Sequence, residues 1–514
     1  MLHCLKSRFA YHGKYLNFPE RFKFNKQSLF AMKKFFLFIL LFTALPLLSM
    51  AEGPIKHRVI IDTDCAPDDL RAINLLLSSA STEVLAITSE DGVLEPDEGY
   101  LKIISLLKEH GHQGIKTSRG IVSKNEAPEW RDIAKEADWG NEPISYEEPM
   151  EVKEFLVKTI ESEEKPVDII CMGPLTNIAN AILMKPSVKK NISKIIWFDQ
   201  CQPEVVWTNF GMDCLSGDYL LKTQIPVYRI MANEDAPEFS ESFLNEIGKI
   251  QTPYARKIYH SHSKDTIKEK IREGQFKLWD DLTALYLYYP DLFTRDTSDA
   301  DTTNIIVSLK DKDDKQIKAK YLEHLESYNN IGSIVFQNFP VDSNYYRKDI
   351  RGFVKETIDK FGIREWRAVT LTEEAHNRLG LNSMIGAKMG VRAMEYFRTT
   401  PGNLTVTSYC GNTPPLSCIN DGLQVSCGTT MGQGNIKIID EAILPKARFQ
   451  YDNRTIEIKL KSEYYKKIRV EIEDTKENHA FQSESYWEAI RKKTVHYWKN
   501  WDRKQIFQIS KISD

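Results

Sequence analysis

The chain has 514 residues, enough for more than one hydrophobic core. A formal net charge of −3 gives no electrostatic case for a nucleic-acid polymer as partner. With 42 % hydrophobic and 11 % aromatic residues, a disordered chain is excluded.

The first long apolar run covers residues 35–48, after Met32-Lys33-Lys34 and before Ser49-Met50-Ala51. A basic start, a short apolar stretch and a small-residue end describe a secretory signal, and the run is short for a membrane span. We therefore expect a doubtful leader over 1–31, a signal peptide over 32–51 and a mature chain beginning near Glu52. Such a chain is secreted or periplasmic, without a stable membrane anchor. Eight cysteines are scattered without a CxxC spacing. Most read as buried small hydrophobes, and a disulfide among Cys410, Cys418 and Cys427 stays open.

Val59-Ile60-Ile61 reads as a buried strand, and the pattern from Leu70 through Ile73 to Leu77 as a helix. Between them lie Asp62, Asp64, Asp68 and Asp69, four carboxylates within eight residues. That places the acids at the carboxyl end of a strand, where open α/β sheets keep their ligand crevices. Crowded carboxylates repel one another, which suits a hard cation such as Ca²⁺ or Mg²⁺. A solvated acidic turn capping a helix is the plainer alternative.

Further strands are expected at 84–88, 167–172, 195–198 and 226–231, with helices at 70–78, 100–109, 152–161 and 178–184. This alternation predicts an α/β domain over 52–365, a mostly parallel sheet with helices on both faces. The charged stretch 310–318 reads as a loop or exposed edge, 333–336 as one more strand and 351–361 as a helix. Glycines become frequent beyond Arg367 and Pro414-Pro415 marks a turn, so a smaller α+β domain is expected over 366–514. Within it, 455–460 alternates like a strand and 485–501 is an aromatic-rich helix or helix pair.

Four segments give the first domain a resemblance. The acidic turn is followed by Gly173-Pro174-Leu175-Thr176-Asn177, by Asn209-Phe210-Gly211-Met212-Asp213, and by Trp279-Asp280-Asp281-Leu282-Thr283. In this order they resemble the inosine/uridine-preferring nucleoside hydrolase family. The resemblance implies a Ca²⁺ site formed by Asp64, Asp69, the carbonyl of Thr176 and Asp280, with Asp64 taking a proton from the attacking water. It also implies sugar contacts from Asp68 and Asn209. Trp279 stands where many members have a histidine, and would assist the leaving base by stacking, which predicts a preference for purine nucleosides. Trp139 is a second candidate for facing the base; for each tryptophan, core packing is the alternative. Gly92-Val93 lacks the asparagine usual after that glycine, and Asp91 is the candidate substitute. Trp207 replaces a glutamate, and Cys65-Ala66 replaces Pro-Gly.

In the second domain, His376-Asn377-Arg378-Leu379-Gly380 and Ile385-Gly386-Ala387-Lys388-Met389-Gly390 are followed by Cys418-Ile419-Asn420-Asp421-Gly422. These motifs resemble the FmdE family associated with formylmethanofuran dehydrogenase. The resemblance implies a metal site, Zn²⁺ in kind, of which His376, Cys418 and Asp421 remain; a core histidine and a buried cysteine are the alternative. The reading is a secreted Ca²⁺-dependent ribonucleoside hydrolase acting on a small molecule, and a homo-oligomer is compatible with it. Its rivals are a nucleoside- or sugar-binding protein on the same fold and a metal- or redox-handling protein acting through the C-terminal half.

Overall fold

The computed structural model describes residues 57–122, 128–141, 145–199, 208–232, 235–296, 303–310, 314–441 and 443–512. The expected signal peptide over 32–51 and Trp207 lie outside them. Eight strands build the first sheet: β1 (His57–Thr63), β2 (Thr82–Ser89), β3 (Lys116–Arg119), β4 (Val167–Met172), β5 (Ile192–Phe198), β6 (Val227–Ile230), β7 (Phe293–Asp296) and β8 (Asn304–Leu309). Their order is β3-β2-β1-β4-β5-β6-β8-β7, and of these pairs only β7–β8 is antiparallel. Because β1 sits between β2 and β4, the direction of winding reverses there. Such a switch point opens a crevice at the carboxyl ends of the two strands.

Helices cover both faces. Val59 and Ile61 of β1 enter one core with Leu70, Ile73 and Leu77 of helix α1 (Pro67–Ser78). Ile60 enters the other, with Leu156 of α2 (Val152–Glu161) and Ile178 of α3 (Thr176–Met184). The expected loop at 310–318 instead runs into helix α4 (Asp314–Ser327), whose Ile317, Tyr321 and Leu325 are buried one turn apart. A charged first turn concealed that periodicity. The strand expected at 333–336 does not form; Ile334 and Val335 are 92 % and 87 % exposed and belong to neither sheet.

The second sheet has β9 (Thr405–Ser408), β10 (Ile436–Ile438), β11 (Lys446–Tyr451), β12 (Arg454–Leu460) and β13 (Phe507–Ile512), in the order β10-β9-β11-β12-β13. It shares a core with helices α6 (Leu381–Phe397), α7 (Ile419–Cys427) and α8 (Glu484–Asn500). This core also takes in Phe339, Ile350 and helix α5 (Val354–Phe361), so it begins upstream of residue 366. No helix among the described residues is long and apolar enough to cross a membrane. The six described cysteines are all free, so no disulfide joins Cys410, Cys418 and Cys427.

Polar contacts sew the two halves together. Arg398, in a left-handed conformation (φ 53°), donates to the carbonyls of Leu76, Leu77, Ser79 and Thr82 at 2.6–2.9 Å. Three of these oxygens lie at the carboxyl end of α1, where a helix leaves its acceptors unmatched. Arg392 donates to the Gly111 carbonyl at 2.9 Å, and His112 Nδ1 pairs with the Glu395 carbonyl at 2.7 Å.

Candidate active site

The chain leaves β1 at Asp64 and enters α1 two residues before Asp69, so the first helical turn carries Asp68 and Asp69. The turn needs a left-handed residue, and Cys65 supplies it (φ 63°) although it is not a glycine. Thr63 Oγ1 accepts from the Cys65 amide at 3.0 Å and donates to Asp69 Oδ1 at 2.5 Å. Asp280 arrives from across the fold, at the N-cap of α1's neighbour, the helix Asp281–Tyr288. Ligand oxygens of Asp68, Asp69 and Asp280 lie within 4.8 Å of one another.

Four carboxylates meet here with no cationic side chain among them. Burial, then the other aspartates, pushes Asp69 and Asp280 well above the usual carboxylate range. Burial likewise pushes Asp64 up to about 7, against a hydrogen bond from the Val93 amide at 3.0 Å. Asp69 Oδ2 and Asp280 Oδ1 are buried and have no hydrogen-bond partner. Unpartnered buried oxygens beside like charges are what a divalent oxygen-binding cation relieves, so the donor set fits Ca²⁺.

The surrounding residues fix this geometry. Fully buried Arg71 on α1 donates to both oxygens of Asp281, the residue after Asp280, and to the Lys277 carbonyl at 2.7 Å. Arg71 thereby ties α1 to the segment that delivers Asp280, and nothing in the sequence pattern singled it out. Asp62 lies beneath the cluster, accepting from Thr88 Oγ1 at 2.5 Å and Asn177 Nδ2 at 3.0 Å. Gly92 passes so close that a Cβ there would stand 2.2 Å from Asp64 Oδ2.

Above the acids is a cavity of about 210 Å³ whose wall includes Asp64, Asp68, Asn209, Trp279 and Asp280. Asn209 donates to the Phe198 carbonyl at 2.9 Å, which holds it at the rim. Three expected residues are placed differently. Trp139 is 1 % exposed in the core and does not line the cavity; Trp130 does, with its ring 6.1 Å from Trp279 and 5.5 Å from Phe276, edge to face in both cases. Trp130 sits between Glu129 and Arg131, and Arg131 pins the loop by donating to the Gly92 and Val93 carbonyls. A tryptophan between two charged residues was the available signal. Thr176 does not line the cavity either, and its hydroxyl donates to Asp213 at 2.8 Å; at the end of β4 it is Met172 that lines the wall. Asp91 is buried behind the wall, and Val93 takes the facing position.

The second cluster is confirmed as a neighbourhood: His376, Cys418 and Asp421 offer ligand atoms within 4.8 Å of one another. Here the charges are already matched. His376 Nδ1 lies 2.8 Å from Asp421 Oδ2, and the bonds to Asp421 and then Cys418 push the imidazole up to about 10.

Residues 59–329 match the model of the inosine-uridine preferring nucleoside hydrolase family, and residues 375–508 that of FmdE, from the molybdenum formylmethanofuran dehydrogenase operon. The first match spans more than half of the chain, which therefore belongs to the nucleoside hydrolase family, with an FmdE-like domain after it. Similar curated proteins include the pyrimidine-specific ribonucleoside hydrolase RihA of Citrobacter koseri, 26 % identical over 260 residues, covering 46 % of this chain and 80 % of that relative. RihA of Shewanella woodyi is 25 % identical over 257 residues, with the same coverage. Among solved structures, a plant nucleoside hydrolase aligns with a TM-score of 0.46 and 18 % identity over 53 % of this chain and 99 % of its own. The purine-preferring ribonucleoside hydrolase from Gardnerella vaginalis gives 0.44 and 18 %, over 53 % and 98 %.

Proposed function

We propose that the chain is an exported, Ca²⁺-dependent hydrolase that splits ribonucleosides into base and ribose, with purine nucleosides preferred. The observation that carries this reading is the group of buried, unpartnered aspartate oxygens on the floor of a cavity roofed by aromatic rings. Asp69 and Asp280, with Asp64 and Asp68 beside them, would hold the ion. Bound calcium supplies positive charge that eases deprotonation of a water and gathers sugar hydroxyls.

The protein's own groups do the rest. Asp64, fixed by the Val93 amide, takes the proton of the attacking water as it adds to the anomeric carbon. Asp68 and Asn209 orient the ribose. The C–N bond breaks through an oxocarbenium-like state, and its electron pair stays on the base, which gains a proton from solvent. Trp279, with Trp130 and Phe276 at its edge, offers the base a flat apolar wall. A purine covers more of that wall than a pyrimidine. Against this, the curated relatives are named pyrimidine-specific, and that observation favours a second reading in which uridine and cytidine turn over faster. Export is supported by the 32–51 segment.

In the C-terminal half, His376, Cys418 and Asp421 provide one nitrogen, one sulfur and one oxygen. Three such ligands leave a fourth position for water, the count of an open Zn²⁺ site.

The deciding experiment is incubation of purified protein with inosine, adenosine, guanosine, uridine and cytidine, with and without a calcium chelator. Chelator-sensitive release of purine bases is the expected result. Faster release from uridine supports the second reading, and no release from any nucleoside rejects both.

A further inference from the structure

We propose that the cavity at the seam between the two halves binds a small phosphate-bearing anion, remote from the aspartate cluster. Its volume is about 100 Å³. Tyr254, Tyr328 and Asn329 form its hydrolase side, and Lys360, Arg364 and Lys504 its FmdE-like side.

The charges do not cancel. Arg503 is committed to Glu365 and Glu395, and Arg256 has Asp359 at 3.9 Å. Lys360 instead donates to the Lys499 carbonyl, Lys504 to the Glu109 carbonyl, and Arg364 lies over the Tyr328 ring at 3.9 Å. Among the described residues none of these three cations has a carboxylate in ion-pair range. His110 and His112 add no charge, because burial holds both imidazoles far below their usual range.

An independent observation points the same way. Arg364 Nε and Asn329 Oδ1 are both buried, both lack a hydrogen-bond partner, and both belong to residues on this cavity wall. One is a donor and the other an acceptor. A ligand satisfying both needs acceptor oxygens and a hydroxyl. A phosphate group carrying a P–OH, or a sugar phosphate, has both, and its charge answers the three cations. Since the walls come from both halves, the ligand would stabilise the seam by binding only when the halves are docked.

The test uses the mature full-length protein, titrated calorimetrically with inorganic phosphate and with ribose 5-phosphate at constant ionic strength. Saturable binding is expected, with a rise in Tm. Arg364→Gln and Lys360→Gln should each weaken it by about tenfold while leaving inosine hydrolysis in phosphate-free buffer unchanged. Asp69→Ala should leave it intact, which separates this site from the catalytic cavity and from the fate of the hydrolase reading. Tighter binding of ribose 5-phosphate identifies a sugar phosphate, and equal binding identifies the phosphate group alone. Absence of saturable binding by either probe overturns the proposal. So does binding that Lys360→Gln leaves unchanged, a measurement that stands even if Arg364→Gln fails to fold.

Discussion

The aspartate cluster beside α1 and the His376–Cys418–Asp421 cluster solve the burial of charge in opposite ways. The first gathers like charges in a dry crevice and leaves two oxygens without partners. The second sets an imidazolium against a carboxylate at 2.8 Å in a half-buried place. A self-matched cluster is stable as it stands, whereas a self-repelling one is stable only when something positive joins it. The difference predicts which half depends on a metal for its integrity: the hydrolase half.

The largest expected effect breaks the first cluster. Asp69→Ala or Asp280→Ala should lower kcat/KM for nucleosides by about a thousandfold or more, the scale of several kcal/mol of lost charge stabilisation. Asp421→Ala should leave it within about twofold. Equal losses from both clusters would erase the distinction.

A buried ionisable group can also escape the problem by staying neutral, and His324 tests that route. Its Nε2 donates to the Leu75 carbonyl at 3.0 Å while Nδ1 pairs with the Tyr289 hydroxyl at 3.2 Å, and burial lowers its pKa to about 4. The unfolded chain takes up this proton near its ordinary value of 6.5, so the contribution is present above that pH. It is lost as the pH falls toward 4, on the order of 3 kcal/mol in all. Denaturant midpoints between pH 7 and 4 should fall less steeply in His324→Gln than in the unmodified protein.

Metal titration sharpens the comparison directly. Calcium at about a hundredfold over its Kd should stabilise the native protein by ~2.7 kcal/mol, read as a rise in Tm that Asp69→Ala abolishes. Zinc should shift Tm less, because binding must first open the His376–Asp421 pair. A larger zinc shift would reverse the ranking.

The smallest effect concerns the roof of the cavity. Trp279→Ala should lower kcat for inosine more than for uridine, by roughly tenfold, and Trp130→Ala should act in the same direction more weakly. Identical losses on both nucleosides would show that the rings only fill the wall.

Much of the fold was legible because periodicity reports burial. Strand β4 and helix α2 fall where the apolar pattern puts them, 167–172 and 152–161. The helix at 314–327 was hidden because its first turn is charged and its apolar spacing starts only at Ile317. At the site, the aspartates could be read since carboxylates crowd for few reasons. Long-range partners could not. Arg71 is one cation among many until the fold brings Asp281 to it, and Trp139 and Trp130 differ only in which loop faces the crevice. Met172 looked like core, because an apolar strand end carries no mark of lining a cavity.

Helix α1 holds the reaction's acids at its start and accepts Arg398 of the appended domain at its finish. The two halves are therefore not interchangeable beads. A recombination event that exchanged the C-terminal half would strip the cap from the rod on which Asp68 and Asp69 are mounted. Lineages inheriting such a swap would have to find another residue to bind those carbonyls, so the pair is expected to pass between genomes as a single cassette.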